Sequence, residues 1–199
     1  ASSRARSRSA RRTRKRSNSA IRCAGASPER ERPREMAARS SPRLRALILG
    51  HLGMLHEQVG NWRIALGHLE DREKLPYLDD ATSLAVRLSR ARVLLHVGRE
   101  EKAAQAAEVA LAMTEKAPQL AGYRLLALDR AALSNLAAGR FARAVALYDE
   151  ELPLLEARSD AAAARNRFVV RLARAAAAVG AGLPERALED LAVVQRGLA

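Results

Sequence analysis

Four glycines that recur at a similar spacing along this chain are each followed five residues later by an alanine: Gly60/Ala65, Gly98/Ala103, Gly139/Ala144 and Gly182/Ala187. Each pair falls between two segments with apolar residues at helical spacing, so each marks the turn of a helical hairpin. The glycines stand 38, 41 and 43 residues apart. Repetition at such a period is the signature of a solenoid, in which each hairpin covers the apolar face that its neighbour cannot bury alone. Arrays built this way offer long binding surfaces and seldom carry out chemistry.

Composition supports an all-α chain. Hydrophobic residues make up 48% of the sequence but aromatics only 3%, and Ala and Leu dominate. That usage suits helices packed closely through small side chains rather than a sheet rich in Val, Ile and Tyr. The net charge of +13 points to a polyanion partner only until it is located. Residues 1–45 hold 15 Lys/Arg against 3 Glu, which leaves 20 basic and 19 acidic residues in 46–199. The repeat region is electrically balanced, so any nucleic-acid contact must come from the tail.

The single cysteine, Cys23, allows no intrachain disulfide and no Cys-based metal site, which fits a reducing compartment. The sequence has no apolar run long enough to span a bilayer and no apolar centre of a secretory signal, so a cytoplasmic protein is expected.

Residues 1–43 read as a disordered basic tail, because ASSRARSRSARRTRKRSNSA and PERERPRE show no apolar periodicity that could offset the entropy of ordering them. Several roles fit this tail. RRTRKR suits a nuclear localisation signal or an RNA-contacting patch, and the Arg-Ser alternation resembles low-complexity segments of splicing-type proteins. An Arg- and Ser-rich stretch with no acid before Glu29 also resembles an organellar transit peptide. The first methionine, Met36, stands just ahead of the helical pattern, so an upstream extension or an inter-domain segment is the reading preferred over these roles.

The first hairpin carries a more specific pattern. Leu49, Leu52, Gly53 and His56 lie in its first helix, Gly60, Trp62, Ala65 and Leu69 span the turn and second helix, and Pro76 closes the unit. The second copy keeps Ala91, Leu94, Gly98, Ala103 and Ala110, and the third keeps Ala132, Gly139, Phe141, Ala144 and Tyr148. The fourth keeps Ala175, Gly182, Ala187 and Leu191, with an extra glycine at Gly180 and Pro184 in place of the aromatic. This spacing resembles the tetratricopeptide repeat (TPR), in bacterial-type form with longer repeats than the usual 34 residues. The resemblance implies a right-handed α-α superhelix of four hairpins, at about 44–76, 80–117, 118–158 and 160–199. The excess length is expected in a helix over 81–97 behind Asp79-Asp80 and in another over 118–138 opening at Pro118. Pro153 predicts a kink or an early helix end.

In the TPR family the first helices of successive repeats line a concave groove. The resemblance gives that role to His51, Met54, Glu57 and Gln58 in the first copy, Ser89, Arg92 and His96 in the second, and Asp129, Arg130 and Leu133 in the third. Arg92 and Arg130 are the leading candidates, because a guanidinium can clamp a partner's carboxylate with two hydrogen bonds. The Lys/Asn set by which chaperone-binding members grip a terminal carboxylate is not visible. The four histidines are read as packing or scattered residues, and no pair stands at metal-ligand spacing. Asp79-Asp80 and Glu150-Glu151 are read as helix starts or solvated faces, and no cofactor, nucleophile elbow or phosphate loop is found.

The function expected is therefore a non-catalytic scaffold for a protein or peptide partner. The Ala/Arg/Leu-heavy usage looks like that of high-GC bacteria, where such arrays belong to larger signalling or transcriptional regulators. The alternative is a nucleic-acid-associated protein whose tail contacts phosphates while the repeats recruit others. The last segment offers Leu188, Leu191, Val194 and Leu198 with nothing after it to cover them, which predicts a piece of a longer array or self-association.

Overall fold

The computed structural model describes residues 41–75 and 79–198, with side chains as far as Gly197. The chain divides into two units, Ala1–Met36 and Ala37–Ala199, and the first lies wholly outside the described residues. So do Cys23, Pro76 and residues 1–40 of the expected tail. The second unit is all-α among the described residues. Its helices are α1 (Pro42–Gln58), α2 (Trp62–Glu73), α3 (Asp80–His96), α4 (Glu100–Lys116), α5 (Arg124–Ala137), α6 (Phe141–Glu156), α7 (Ala161–Gly180) and α8 (Pro184–Leu198), with a 3-10 turn at Pro118–Tyr123 before α5. Each helix packs on the next, and α1 also touches α3 while α3 touches α5. The first helices of the first three hairpins thus form one wall of a solenoid.

Local chemistry fixes where the helices begin. Ser41 accepts a hydrogen bond from the Leu44 amide with Pro42 in the first turn, Asp79 accepts from the Thr82 amide at 2.7 Å, and Asp160 accepts from the Ala163 amide at 2.9 Å. The helix expected over 118–138 is instead two pieces. Pro118 opens a 3-10 turn anchored by the buried Leu120, Gly122 weakens helical continuation, and α5 starts at Arg124. Pro153 does not end its helix either. It sits exposed inside α6, and the buried Leu152 and Leu155 beside it carry the helix on to Glu156.

All four hairpin turns share one geometry. Gly60, Gly98, Gly139 and Gly182 have φ of 76°, 70°, 72° and 75°, the left-handed conformation that a Cβ resists. The amide of each glycine bonds back three residues, as Gly139 does to Leu136 O at 3.1 Å, and the next amide bonds back five, as Arg140 does to Asn135 O at 2.8 Å. That is a Schellman cap repeated four times, so Gly182 and not Gly180 sets the register of the last hairpin. Gly180 serves close approach instead. A Cβ there would meet the Phe141 ring at 2.5 Å, just as one at Gly53 would meet Leu69 Cδ2 at 2.6 Å. Ala65, Ala103, Ala144 and Ala187, five residues past each turn, are all buried.

Ion pairs about one repeat apart join neighbouring hairpins. Arg143 donates to both carboxylate oxygens of Glu108 at 2.9 and 2.8 Å and holds that carboxyl below its usual range; Arg140 pairs with Glu101, and Arg99 with Glu70 at 3.8 Å. In the last hairpin Asp190, fully buried, accepts from Arg174 Nε and Nη2 at 2.8 and 2.6 Å and from Arg171 at 3.3 Å, and Arg174 also reaches Asp149 at 2.7 Å. These contacts hold α8 on α7. Along α8, Val194 turns inward and is buried, contrary to its expected exposure, whereas Leu188 and Leu191 are 66% and 44% exposed.

The same contacts set the cost of three substitutions. Gly139→Ala has open space around the new methyl, so it should cost only the backbone strain of about 1–2 kcal/mol. Gly180→Ala should cost more, because Phe141 must move, and urea melts of the two variants would order them. Asp190→Ala should cost about 2 kcal/mol by removing the buried acid that Arg171 and Arg174 share, which leaves them only their outer partners Glu156 and Asp149. A midpoint equal to wild type would remove that network from the account of the last hairpin.

Candidate partner-binding groove

The wall formed by α1, α3 and α5 carries an open pocket of about 220 Å3. Glu57 reaches it from α1, Ser89 and Arg92 from α3, and Arg130 from α5, with Leu88, Leu126 and Tyr123 as apolar lining. Helical spacing explains the meeting, since Ser89 and Arg92 stand three residues apart on one face of α3. Four of the ten groove candidates from the sequence therefore converge.

The others are dispersed. Asp129 and Arg130 line a second hollow of about 360 Å3 between α5, α6 and α7, which shares Leu126 and Arg130 with the first pocket. His96 stands at the hairpin-turn end of α3, where its ring stacks on Trp62 with centroids 3.9 Å apart and planes 9° apart. His51 bonds the Leu47 carbonyl at 2.8 Å on the exposed side of α1. Met54, Gln58 and Leu133 line neither pocket. His68, expected to be scattered, in fact stacks on His56, the histidine expected to pack, with centroids 5.5 Å apart across the first hairpin. Among the described residues no cluster of three metal-binding side chains occurs.

The leading guanidinium groups are not idle. Arg92 Nε donates to Glu57, whose carboxylate is 3% exposed, and the pair ties α1 to α3. The rest of the Arg92 side chain is partly exposed to the pocket. Arg130 Nη1 lies 3.4 Å from Asp129 on its own helix. Burial pushes the Asp129 carboxyl up, and Arg130 partly offsets that push.

The second hollow holds a group that sequence reasoning placed elsewhere. Glu150 is exposed as expected and reaches Arg124 at 3.0 Å, but Glu151 is buried, with Oε2 lacking a hydrogen-bond partner. Its position gives the reason. Glu151 is three residues from Tyr148, seven from Ala144 and four from Leu155, all buried on the same face of α6. Burial and then the charge of Asp129 push the Glu151 carboxyl up to about 8. The Tyr148 hydroxyl is pushed up by burial and by the same two acids.

An acid whose pKa is raised on folding holds its proton more tightly in the folded state. Its contribution to stability is therefore complete below the unfolded value of 4.5 and is lost as pH rises towards 8. Wild-type stability should fall across that window by up to about 4 kcal/mol from this group alone. Glu151→Gln should flatten that part of the profile and be more stable than wild type at pH 9. Parallel denaturation profiles for the two proteins would overturn the assignment.

No family model matches the chain, and no curated protein matches it in sequence. Two solved structures resemble it. One, described as a Podosopora anserina putative kinesin light chain with nearly identical TPR-like repeats, is 22% identical, with a TM-score of 0.61 over 78% of this chain and 75% of that one. A point variant of that protein is 21% identical, with a TM-score of 0.62 over the same shares. Likeness at this identity concerns architecture alone. Together with four Schellman-capped hairpins in register, it establishes that the chain has a TPR-like helical repeat fold.

Proposed function

We propose that the repeat array is a non-catalytic interaction module that binds a protein or peptide partner along the wall made by α1, α3 and α5. The observation that carries this reading is the convergence of Glu57, Ser89, Arg92 and Arg130, from three successive hairpins, on one open pocket. Repeat folds of this type generally bind proteins or peptides through such a wall. The pocket offers the Ser89 hydroxyl, the Glu57–Arg92 pair, the Arg130 guanidinium and an apolar floor, which suits recognition of an extended polar segment. A cytoplasmic setting accords with a single cysteine, Cys23.

The Glu57–Arg92 pair dictates how this is tested. Arg92→Glu alone would set a second acid against a buried one, so loss of binding could reflect loss of folding. The double variant Glu57→Gln/Arg92→Gln keeps the site neutral, and Ser89→Arg adds bulk to the pocket. Partners recovered by the full wild-type chain and counted by mass spectrometry should fall at least tenfold with either variant, about 1.4 kcal/mol, while circular dichroism keeps the wild-type helicity. Undiminished recovery by both would remove this wall as the binding surface.

A further inference from the structure

We propose that the hollow between α5, α6 and α7 receives the side chain of a lysine from a bound partner, with its ammonium seated between Glu151 and Asp129. This deepens the reading of the array as an interaction module and rests on it.

An unpaired buried carboxylate is costly, because neither water nor a protein donor replaces its hydration. Glu151 is 2% exposed and its Oε2 has no donor, yet it lines an open hollow rather than a sealed core. The chain tolerates it by keeping it protonated near neutral pH. A strongly perturbed acid in a cleft is a mark of a functional position.

The surroundings select the ligand. Two acids, Asp129 from α5 and Glu151 from α6, line the hollow, and Tyr148 on α6 is within electrostatic reach of both. The cation lining it is Arg130, which pairs with Asp129 at 3.4 Å, and α7 adds the neutral Asn166. An anion would be repelled by the acid pair. Two carboxylates beside a guanidinium are also a poor set for a divalent metal ion, which wants more oxygen ligands. An ammonium has three donors, which Glu151, Asp129 and the Asn166 carbonyl oxygen can meet. The remaining lining is Leu125, Leu126, Leu155, Val169 and Val170, an apolar sleeve suited to the methylene stem of lysine. A planar guanidinium would need a matched coplanar pair of acceptors instead.

The hollow also adjoins the first pocket through Leu126 and Arg130. A peptide lying along the wall could therefore meet Arg92 in one place and insert its lysine in the next.

The test uses the full chain with methyl-labelled Leu and Val, titrated with the peptide acetyl-Leu-Lys-Leu-amide and with its norleucine counterpart. The lysine peptide should shift the Leu155, Val169 and Val170 methyl signals saturably and bind at least tenfold more tightly than the norleucine peptide. Binding at pH 7 should release about one proton from Glu151, read as a dependence of calorimetric heat on the buffer. Glu151→Gln folds without the buried charge, and it should abolish both the proton release and the lysine preference; Asp129→Asn should weaken the lysine peptide without removing the proton release.

Equal binding of the two peptides, absent methyl shifts or absent proton release would each overturn the proposal and leave Glu151 as a neutral buried acid. An arginine peptide that binds as tightly as the lysine peptide would overturn the assignment to lysine. If the lysine response fails while the Glu57→Gln/Arg92→Gln variant still loses its partners, only this inference falls and the interaction module stands.

Discussion

Two antiparallel helices can lie against each other only as closely as the atoms between them permit, and this chain meets that limit with hydrogen and methyl groups. Gly53 faces Leu69, Gly180 faces Phe141, and the alanines five residues past each turn are buried. The left-handed glycine at each turn then reverses the chain within two residues, so the second helix starts in contact with the first. Everything else depends on that spacing. Only hairpins this thin leave the first helices of successive repeats close enough for α1 to touch α3 and α3 to touch α5. The pocket with Glu57 and Arg92 exists because those helices meet.

The balanced charge of the repeat region has a structural account in the same geometry. Glu57–Arg92 and Glu108–Arg143 each join residues 35 apart, and Glu101–Arg140 joins residues 39 apart. Arginines of one hairpin thus face acids of the hairpin before it. The exposed pairs among them, such as Glu101–Arg140, contribute little individually. Their recurrence instead favours one docking register over slipped ones, since a displaced hairpin would set like charges together. The cluster around Asp190 acts within the last hairpin instead, where it fastens α8 to α7.

The fold was legible because its determinants are local and chemically narrow. A residue in the left-handed conformation is nearly always glycine, so four glycines at similar spacing disclose four turns without reference to the rest of the molecule. Pro153 does not end α6 for a related reason, since a lost backbone bond is a local cost that the burial of Leu152 and Leu155 outweighs. The groove was only half legible. Resemblance supplied the helix face on which Ser89, Arg92 and Arg130 stand, but not that Arg92 is held by Glu57 from another repeat. Glu151 could not be told from Glu150 by residue type. The face it shares with Ala144, Tyr148 and Leu155 was the available signal, and it requires the helix phase to be fixed before the acids are read.

The stack of Trp62 on His96 joins the start of α2 to the end of α3, and Trp62 is the sole tryptophan of the chain. Its fluorescence therefore reports on one junction, that between the first and second hairpins, while far-ultraviolet signals average over all of them. In a linear array whose parts can come apart separately, the two signals need not change together. The molecule carries its own gauge of whether it unravels from one end or melts as a whole.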